Sequence, residues 1–465
     1  MVEGRSETMT RRGFLRGAAV IGAFMVVPRR VLGGAGHVAP SEMVTVGCVG
    51  MGGQGHIDLF NLLQEKDVRV VAVCDVHREG TGYISWDWMQ GKEAKVGGRE
   101  PARRLVDAHY GELAGGGCRG YADYRELLER EDVDAVVVAT PDHTHAVVTM
   151  AAIRRGKHVY CEKPLAYTVE EVRRITEAAR AAGVATQLGN QGQASEEARL
   201  VQEFIMDGAI GAVREVHITV GEPFWARPKW GSRPAERPPV PGGLDWDLWL
   251  GPAPERPYHP AYHPWTWRDW RDFGTGMLGD MGCHKLSTVF KALKLGHPVS
   301  VEGWCEEIGP EVNARVFEVT WEFGARGDMP PVVLRWFGGG KQPPRPKGLE
   351  EGRGVGGEIY IGDEGVLMGY RLVPESRQKE YGRPPRVLER SPGQYREWID
   401  ACRGGAAAGS DFVRHSGLLT ETPLLGNIAM RAGKKLLWDG AAMRFTNDEA
   451  ANERLRRVCR EGWAL

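Results

Sequence analysis

An excess of charge of either sign is what this chain has least of. Sixty lysines and arginines stand against 61 aspartates and glutamates, a formal net charge of −1. No basic stripe interleaved with aromatics compensates locally, so neither nucleic acid nor an anionic membrane surface is an expected partner. Paired cysteines are also missing. The eight, at 48, 74, 118, 161, 283, 305, 402 and 459, never fall at CxxC spacing, which argues against a zinc knuckle or a thioredoxin-like site. Cys48 and Cys74 lie in apolar runs and read as small buried hydrophobes. Long hydrophobic runs are absent too. The N-terminal one, Gly17 to Pro28, has about twelve residues, short of the roughly 20 that span a bilayer.

That run belongs to a distinctive N-terminus. Thr10-Arg11-Arg12-Gly13-Phe14-Leu15-Arg16 precedes it and small residues from Gly33 to Ala39 follow, the layout of a bacterial twin-arginine export signal. The alternative is a flexible basic N-terminus. Residues 1–40 are therefore set apart from the fold, with a periplasmic destination expected. Twin-arginine export carries folded proteins, so a nucleotide-using enzyme sent this way must take its cofactor along.

The remaining length suits two or three domains. With 42% hydrophobic and 26% charged residues, the composition is that of a globular protein. Apolar runs at 44–49, 68–74, 133–139, 157–161 and 184–188 read as buried parallel strands. Between them lie helical stretches, one opened by the capping box Thr168-Val169-Glu170-Glu171. Strand–helix alternation with right-handed crossovers predicts a doubly wound α/β domain over about 41–165. Beyond it, 166–465 is expected to be α+β. A helix at about 195–207 is followed by strands at 213–220, 299–307, 315–323, 332–337, 357–361 and 365–369. They lack room for helical crossovers, so the sheet should be mainly antiparallel. Helices return at about 393–403 and 415–437.

Gly50-Met51-Gly52-Gly53-Gln54-Gly55 fits G-x-G-x-x-G, follows a strand and opens a helix. Gly50 permits the tight turn, Gly52 leaves room for a pyrophosphate, and Gly55 lets helix and strand pack closely. Asp75 ends the next strand, where a carboxylate accepts ribose hydroxyls and repels a 2′-phosphate, favouring NAD over NADP. His77-Arg78 beside it could instead offer charge to that phosphate.

Two further features carry chemistry. Cys161-Glu162-Lys163-Pro164 ends a parallel strand, where ligands bind in open α/β sheets. Asp280 and His284, at i and i+4, share a helix face. A carboxylate orienting an imidazole, with a lysine near, is a workable acid–base set. The alternative is a surface pair of little consequence. Residues 221–274 hold seven of the fifteen tryptophans, at 225, 230, 246, 249, 265, 267 and 270. Either they form a rim that stacks on sugar rings, or they pin a proline-rich loop to the body. Histidines at 259 and 263 have loop spacing without a matching ligand set, so no metal is expected.

In order, GMGGQG, VAVCDV, ATPDHTH, CEKPLA and GxxxDxxxH resemble the Gfo/Idh/MocA oxidoreductases over about residues 41–450, and the exported bacterial branch of that family in particular. The resemblance implies a Rossmann domain followed by an open-sheet domain used partly for oligomerisation, as a dimer or tetramer. It implies that Lys163 contacts the reacting hydroxyl, that Pro164 shapes its loop, and that Asp280 and His284 are the acid–base pair. Thr140, Pro141, His145, Gly53 and Glu162 would lie along the nucleotide, with His145 structural. Asn190 would sit near nicotinamide and substrate, and Trp265 and Trp267 near the sugar. Ser287 departs from family members that carry aspartate there. The expected function is NAD-dependent oxidation of a secondary hydroxyl in a sugar, sugar acid or glycoside. The alternatives are redox-neutral glycoside hydrolysis and a non-catalytic binder.

Overall fold

Hydrophobic residues at successive positions leave a strand no polar face, and such strands need covering on both sides. In the computed structural model they obtain it. The structure describes residues 38–39, 42–84, 95–111, 117–130, 133–223, 231–306 and 309–465. The twin-arginine segment, Trp225 and Trp230 lie outside the described residues. All strands below lie within the unit Val44–Leu465.

The first sheet contains β1 (Val44–Val49), β2 (Val68–Cys74), β5 (Arg119–Tyr121), β6 (Ala135–Val138), β7 (His158–Glu162) and β8 (Thr186–Gly189). Two short strands, β3 (Gly80–Tyr83) and β4 (Lys95–Gly97), pair separately. The order of the large sheet is β5-β2-β1-β6-β7-β8, parallel throughout. Strand order reverses direction at β1, so a crevice opens beyond the carboxyl ends of β1 and β6. The sheet takes in β8, and so continues past the boundary at residue 165 read from the sequence.

The second sheet contains β9 (Val213–Thr219), β10 (Ser300–Cys305), β11 (Phe317–Phe323), β12 (Val332–Gly338), β13 (Glu358–Gly362), β14 (Val366–Met368), β15 (Arg371–Val373), β16 (Leu436–Asp439) and β17 (Arg444–Phe445). Its order is β15-β14-β13-β9-β12-β11-β10-β16-β17, and only β9–β12 run parallel among the described pairs. In β11, buried and half-buried residues alternate, the signature of a sheet covered on one face. The helices Gly276–Leu293 and Gly417–Ala432 supply that cover. Leu278, Val289, Leu425 and Ala429 join Val319, Trp321 and Trp336 in one core. The same core runs on into Val136, Val159 and Val172 of the first sheet and its helix, so the two sheets share a hydrophobic interior.

The capping box is present. Thr168 accepts from the Glu171 N–H, the Glu171 carboxylate accepts from the Thr168 N–H, and the helix Val169–Ala182 follows. One expectation is corrected. The helix expected over 415–437 runs from Gly417 and stops at Ala432, because Gly433 takes a left-handed φ of 63° and turns the chain into β16. Apolar spacing across 434–438 imitates a helix; the glycine decides against it.

Candidate active site

β1 ends in Gly50, whose φ is 90° and whose imaginary Cβ would lie 2.5 Å from the Ala139 carbonyl carbon. Only glycine makes this turn. A Cβ on Gly55 would fall 1.9 Å from the Gly50 oxygen, so the helix Gly53–Leu63 starts against the strand end for want of a side chain. A Cβ on Gly52 would meet the Tyr83 ring at 3.2 Å, tighter than ordinary contact, so the ring would have to give way slightly. Gly50, Gly52, Gly53, Asp75, Thr140, Pro141, His145, Glu162 and Lys163 all line one open cleft of about 1290 Å³. Gly55, Pro164, Asn190 and His284 are not on its wall.

Asp75 is already engaged. One oxygen accepts from the Met51 N–H at 2.6 Å, and the other from the His77 N–H at 2.7 Å. Burial pushes its pKa up to about 6, against those bonds and Arg99, so it is ionised at neutral pH. His77 is turned inward: its Nδ1 lies 3.1 Å from the Tyr83 hydroxyl and 3.3 Å from His263 Nε2, and burial lowers its pKa. A neutral buried imidazole gives a 2′-phosphate no charge. Thr140 carries a buried hydroxyl without a hydrogen-bond partner on the cleft wall, an atom that a bound group can satisfy. His145 holds neighbouring loops together: Nδ1 lies 2.6 Å from the Pro164 carbonyl and Nε2 2.8 Å from that of Thr140.

Lys163 and Asp280, 117 positions apart, meet at 2.8 Å. Both are largely buried, with side chains 15% and 8% exposed. Burial opposes both charges, and the pair outweighs it: Lys163 is raised, while Lys163 and Arg268 hold Asp280 below its ordinary value. Asp280 was expected to orient His284. Its Oδ1 instead takes Lys163, and its Oδ2 has no hydrogen-bond partner among the described residues. His284 stands one turn further along Gly276–Leu293, with its pKa pushed down to about 3 by burial and then by Lys163. It is a neutral imidazole at pH 7. Asn190 is buried and donates to the Cys283 carbonyl, which ties the end of β8 to the residue before His284. Ser287 meets His415 at 2.9 Å.

Two groups escaped the sequence reading. Arg268 lies 3.7 Å from Asp280 and stacks on Trp265 and Trp267, each ring 4.3 Å away. All three line the cleft. Nothing in W-T-W-R marks that arginine beforehand. Behind Lys163, Glu162 accepts from Gln191, and burial and then Asp58 raise its pKa well above normal. Asp58, pushed up to about 7 by burial, takes hydrogen bonds from Tyr395 and Gln54. Tyr395 comes from far along the chain, beyond any local signal.

The aromatic segment divides between its two readings. Trp249, Tyr258, Tyr262, Trp270 and Phe273 form a small core of their own, with Trp246 stacked on Trp249 at 4.6 Å. These are anchors. Trp249, Trp265 and Trp267 also reach the cleft. His143 fastens the segment to the first sheet's helix, its ring nitrogens against the carbonyls of Phe273 and Trp249. Among the described residues no group of three or more His, Cys, Asp or Glu is placed to hold a metal.

A glycine turn under a parallel-sheet switch point, joined to an open-sheet domain that delivers a lysine–aspartate pair, defines a dinucleotide-fold oxidoreductase architecture. Residues 106–190 match the model described as oxidoreductase family, NAD-binding Rossmann fold, and residues 195–323 that of the family's C-terminal alpha/beta domain. Both models are those of the Gfo/Idh/MocA family, and together they match a little under half of the chain. It is 33% identical over 172 residues to a 1,5-anhydro-D-fructose reductase of Ensifer adhaerens, covering 36% of this chain and 51% of that one. It is 30% identical over 227 residues to a glycosyl hydrolase family 109 protein of Saccharopolyspora erythraea, 45% of each. The chain thus spans about half the length of these curated relatives. In fold it is similar to the WlbA dehydrogenase of Bordetella pertussis, solved with NADH and UDP-GlcNAcA. The TM-score is 0.56 at 17% identity, covering 85% of this chain and 99% of that one.

Proposed function

We propose that this chain is an NAD-dependent oxidoreductase acting on a secondary hydroxyl of a sugar, sugar acid or glycoside. The observation that carries the reading is the buried Lys163–Asp280 pair on the wall of a cleft that begins at a glycine turn. The residues fit the dinucleotide. Gly50 and Gly52 line the cleft where a helix starts, Asp75 offers remaining lone pairs to ribose hydroxyls, and the Thr140 hydroxyl lacks a hydrogen-bond partner among the described residues. When bound, NAD supplies a two-electron acceptor at nicotinamide C4. Lys163 donates to the reacting oxygen and favours its alkoxide character. His284, neutral at pH 7 and one turn beyond Asp280, is assigned the hydroxyl proton as the carbon gives up hydride, although it stands behind the cleft wall rather than on it. Asp280 keeps Lys163 charged and in place. Trp265 and Trp267 offer ring faces to the sugar.

Screening sugars, sugar acids and glycosides with NAD by absorbance at 340 nm tests this. Turnover is expected with at least one compound, and Lys163→Met should abolish it while NAD binding persists. Unchanged turnover in that variant would refute the assignment. A second reading, redox-neutral cleavage of a glycosidic bond, is supported by the likeness to a glycosyl hydrolase family 109 protein. It predicts cleavage without net NADH and exchange of the proton next to the oxidised carbon.

Export through the twin-arginine route is part of the same proposal, as is a cofactor held tightly enough to travel. Denaturing protein purified from a periplasm should release about one NAD(H) per chain, detected by mass spectrometry; an empty chain would count against it. The open nine-stranded sheet supports a dimer or tetramer, checked by light scattering.

A further inference from the structure

A second pocket of about 740 Å³ lies apart from the cleft, sharing none of its lining residues. Tyr167, Asn427, Arg431, Arg454, Arg456 and Arg457 are on its wall. The elements that bring them together are distant in sequence: the loop after Lys163, the end of the helix Gly417–Ala432, and the C-terminal segment. We propose that this pocket binds an oxyanion group, a carboxylate, sulfate or phosphate carried by a small ligand.

Charge is the first argument. Glu453 is the sole carboxylate lining the pocket among the described residues. Arg457 is paired with Glu171, its Nη2 at 2.6 Å from Oε1. Four guanidinium groups against these two carboxylates leave two positive charges around one concavity. Arginine's planar fork suits carboxylate, sulfate and phosphate, and several forks converging on one space hold them from different sides.

Unmet hydrogen-bonding capacity is the second. Arg457 spends Nε on Glu171 and Nη2 on the His143 carbonyl as well as Glu171. Its Nη1 is buried with no hydrogen-bond partner among the described residues. Such a group is destabilising unless something accepts from it. The third argument is that the positive field reaches neighbours. Arg271 is lowered to about 10, chiefly by burial and next by Arg431, and Tyr167, raised overall by burial, is raised less because Arg431 and Arg457 oppose the shift. An anion here would relieve repulsion already present in the fold.

The test is titration calorimetry of the full chain with sodium sulfate and with inorganic phosphate, in saturating NAD so that the glycine turn is filled, with chloride at equal ionic strength as the blank. One saturable site per chain is expected. Arg431→Ala/Arg454→Ala should weaken it at least tenfold, and Arg431→Lys/Arg454→Lys should retain part of it, with circular dichroism confirming that each variant folds. The exposed-surface control Arg383→Ala should leave the affinity unchanged. Equal affinity in the double alanine variant, or a response no different from chloride, would overturn the proposal. Should the alanine variant not fold, the lysine variant decides: unaltered affinity there also overturns it, since a fork and a point charge do not hold an oxyanion alike. Comparing glucuronate with glucose, and glucose 6-phosphate with inorganic phosphate, then separates a carboxylate from a phosphate source.

Discussion

Replacing Lys163 with methionine keeps the length of the side chain and removes its charge. In the native site Asp280 Oδ1 takes Lys163 at 2.8 Å, Oδ2 has no hydrogen-bond partner, and the next cation is Arg268 at 3.7 Å. Taking one partner from a buried pair costs about 3–5 kcal/mol. Arg268 stays, so the lower end, about 3 kcal/mol, is expected. For a unit of this size that corresponds to roughly 3 °C in Tm. The sign of the pH dependence follows. Wild-type Asp280 has a folded pKa below its unfolded value, so it adds stability above that unfolded value and loses it as pH falls through the folded one. Without Lys163, burial raises the folded pKa instead. The variant's deficit is then full at neutral pH and shrinks toward about pH 4, as the carboxyl takes up a proton in both states. Urea unfolding of both proteins at pH 7, 5.5 and 4.5 reads this directly. A deficit that is independent of pH, or none at all, would refute the buried-pair argument.

Asp75→Ala removes the acceptor of two backbone N–H groups and the ribose contact; NAD affinity should fall about 10–100-fold by calorimetry, with NADP affected less. Gly55→Ala drives a methyl to 1.9 Å from the Gly50 oxygen, so nucleotide binding should be lost and Tm lowered by several degrees in a thermal scan. His284, with a pKa near 3 in the folded protein, should produce no acid limb in kcat/KM between pH 5 and 8; an inflection near 6.5 that vanishes in His284→Asn would contradict the assigned environment. Arg268→Ala leaves Trp265 and Trp267 without the cation stacked on both, and KM for the sugar should rise more than KM for NAD.

What the sequence shows well is whatever is decided locally. The glycine turn reads as such because Gly50 and Gly55 each meet backbone within a few residues or one strand away. The parallel strands read from their unbroken apolar runs, and the helix start at Val169 from its capping box. Lys163 and Asp280 are different: nothing near either announces the other, and only the order of family-like motifs suggests the pairing. Arg268 and Tyr395 were missed because their roles come from what lies across the fold. The direct contact of Asp280 with Lys163 was not read for the same reason. Helix spacing places it beside His284, while the tertiary fold gives its carboxylate to Lys163. The helix overrun past Ala432 was avoidable, since Gly433 stood there as a stop signal.

The division within the tryptophan-rich stretch bears on how the site could be re-engineered. Trp246, Tyr262, Trp270 and Phe273 hold that segment together, and His143 rivets it to the dinucleotide half. Trp265 and Trp267 both line the cleft, Trp265 half-buried and outside this core, Trp267 a buried member of it. A mutant library confined to position 265 would sample ligand preference on an intact scaffold. One spread over the anchors would sample mostly misfolded chains.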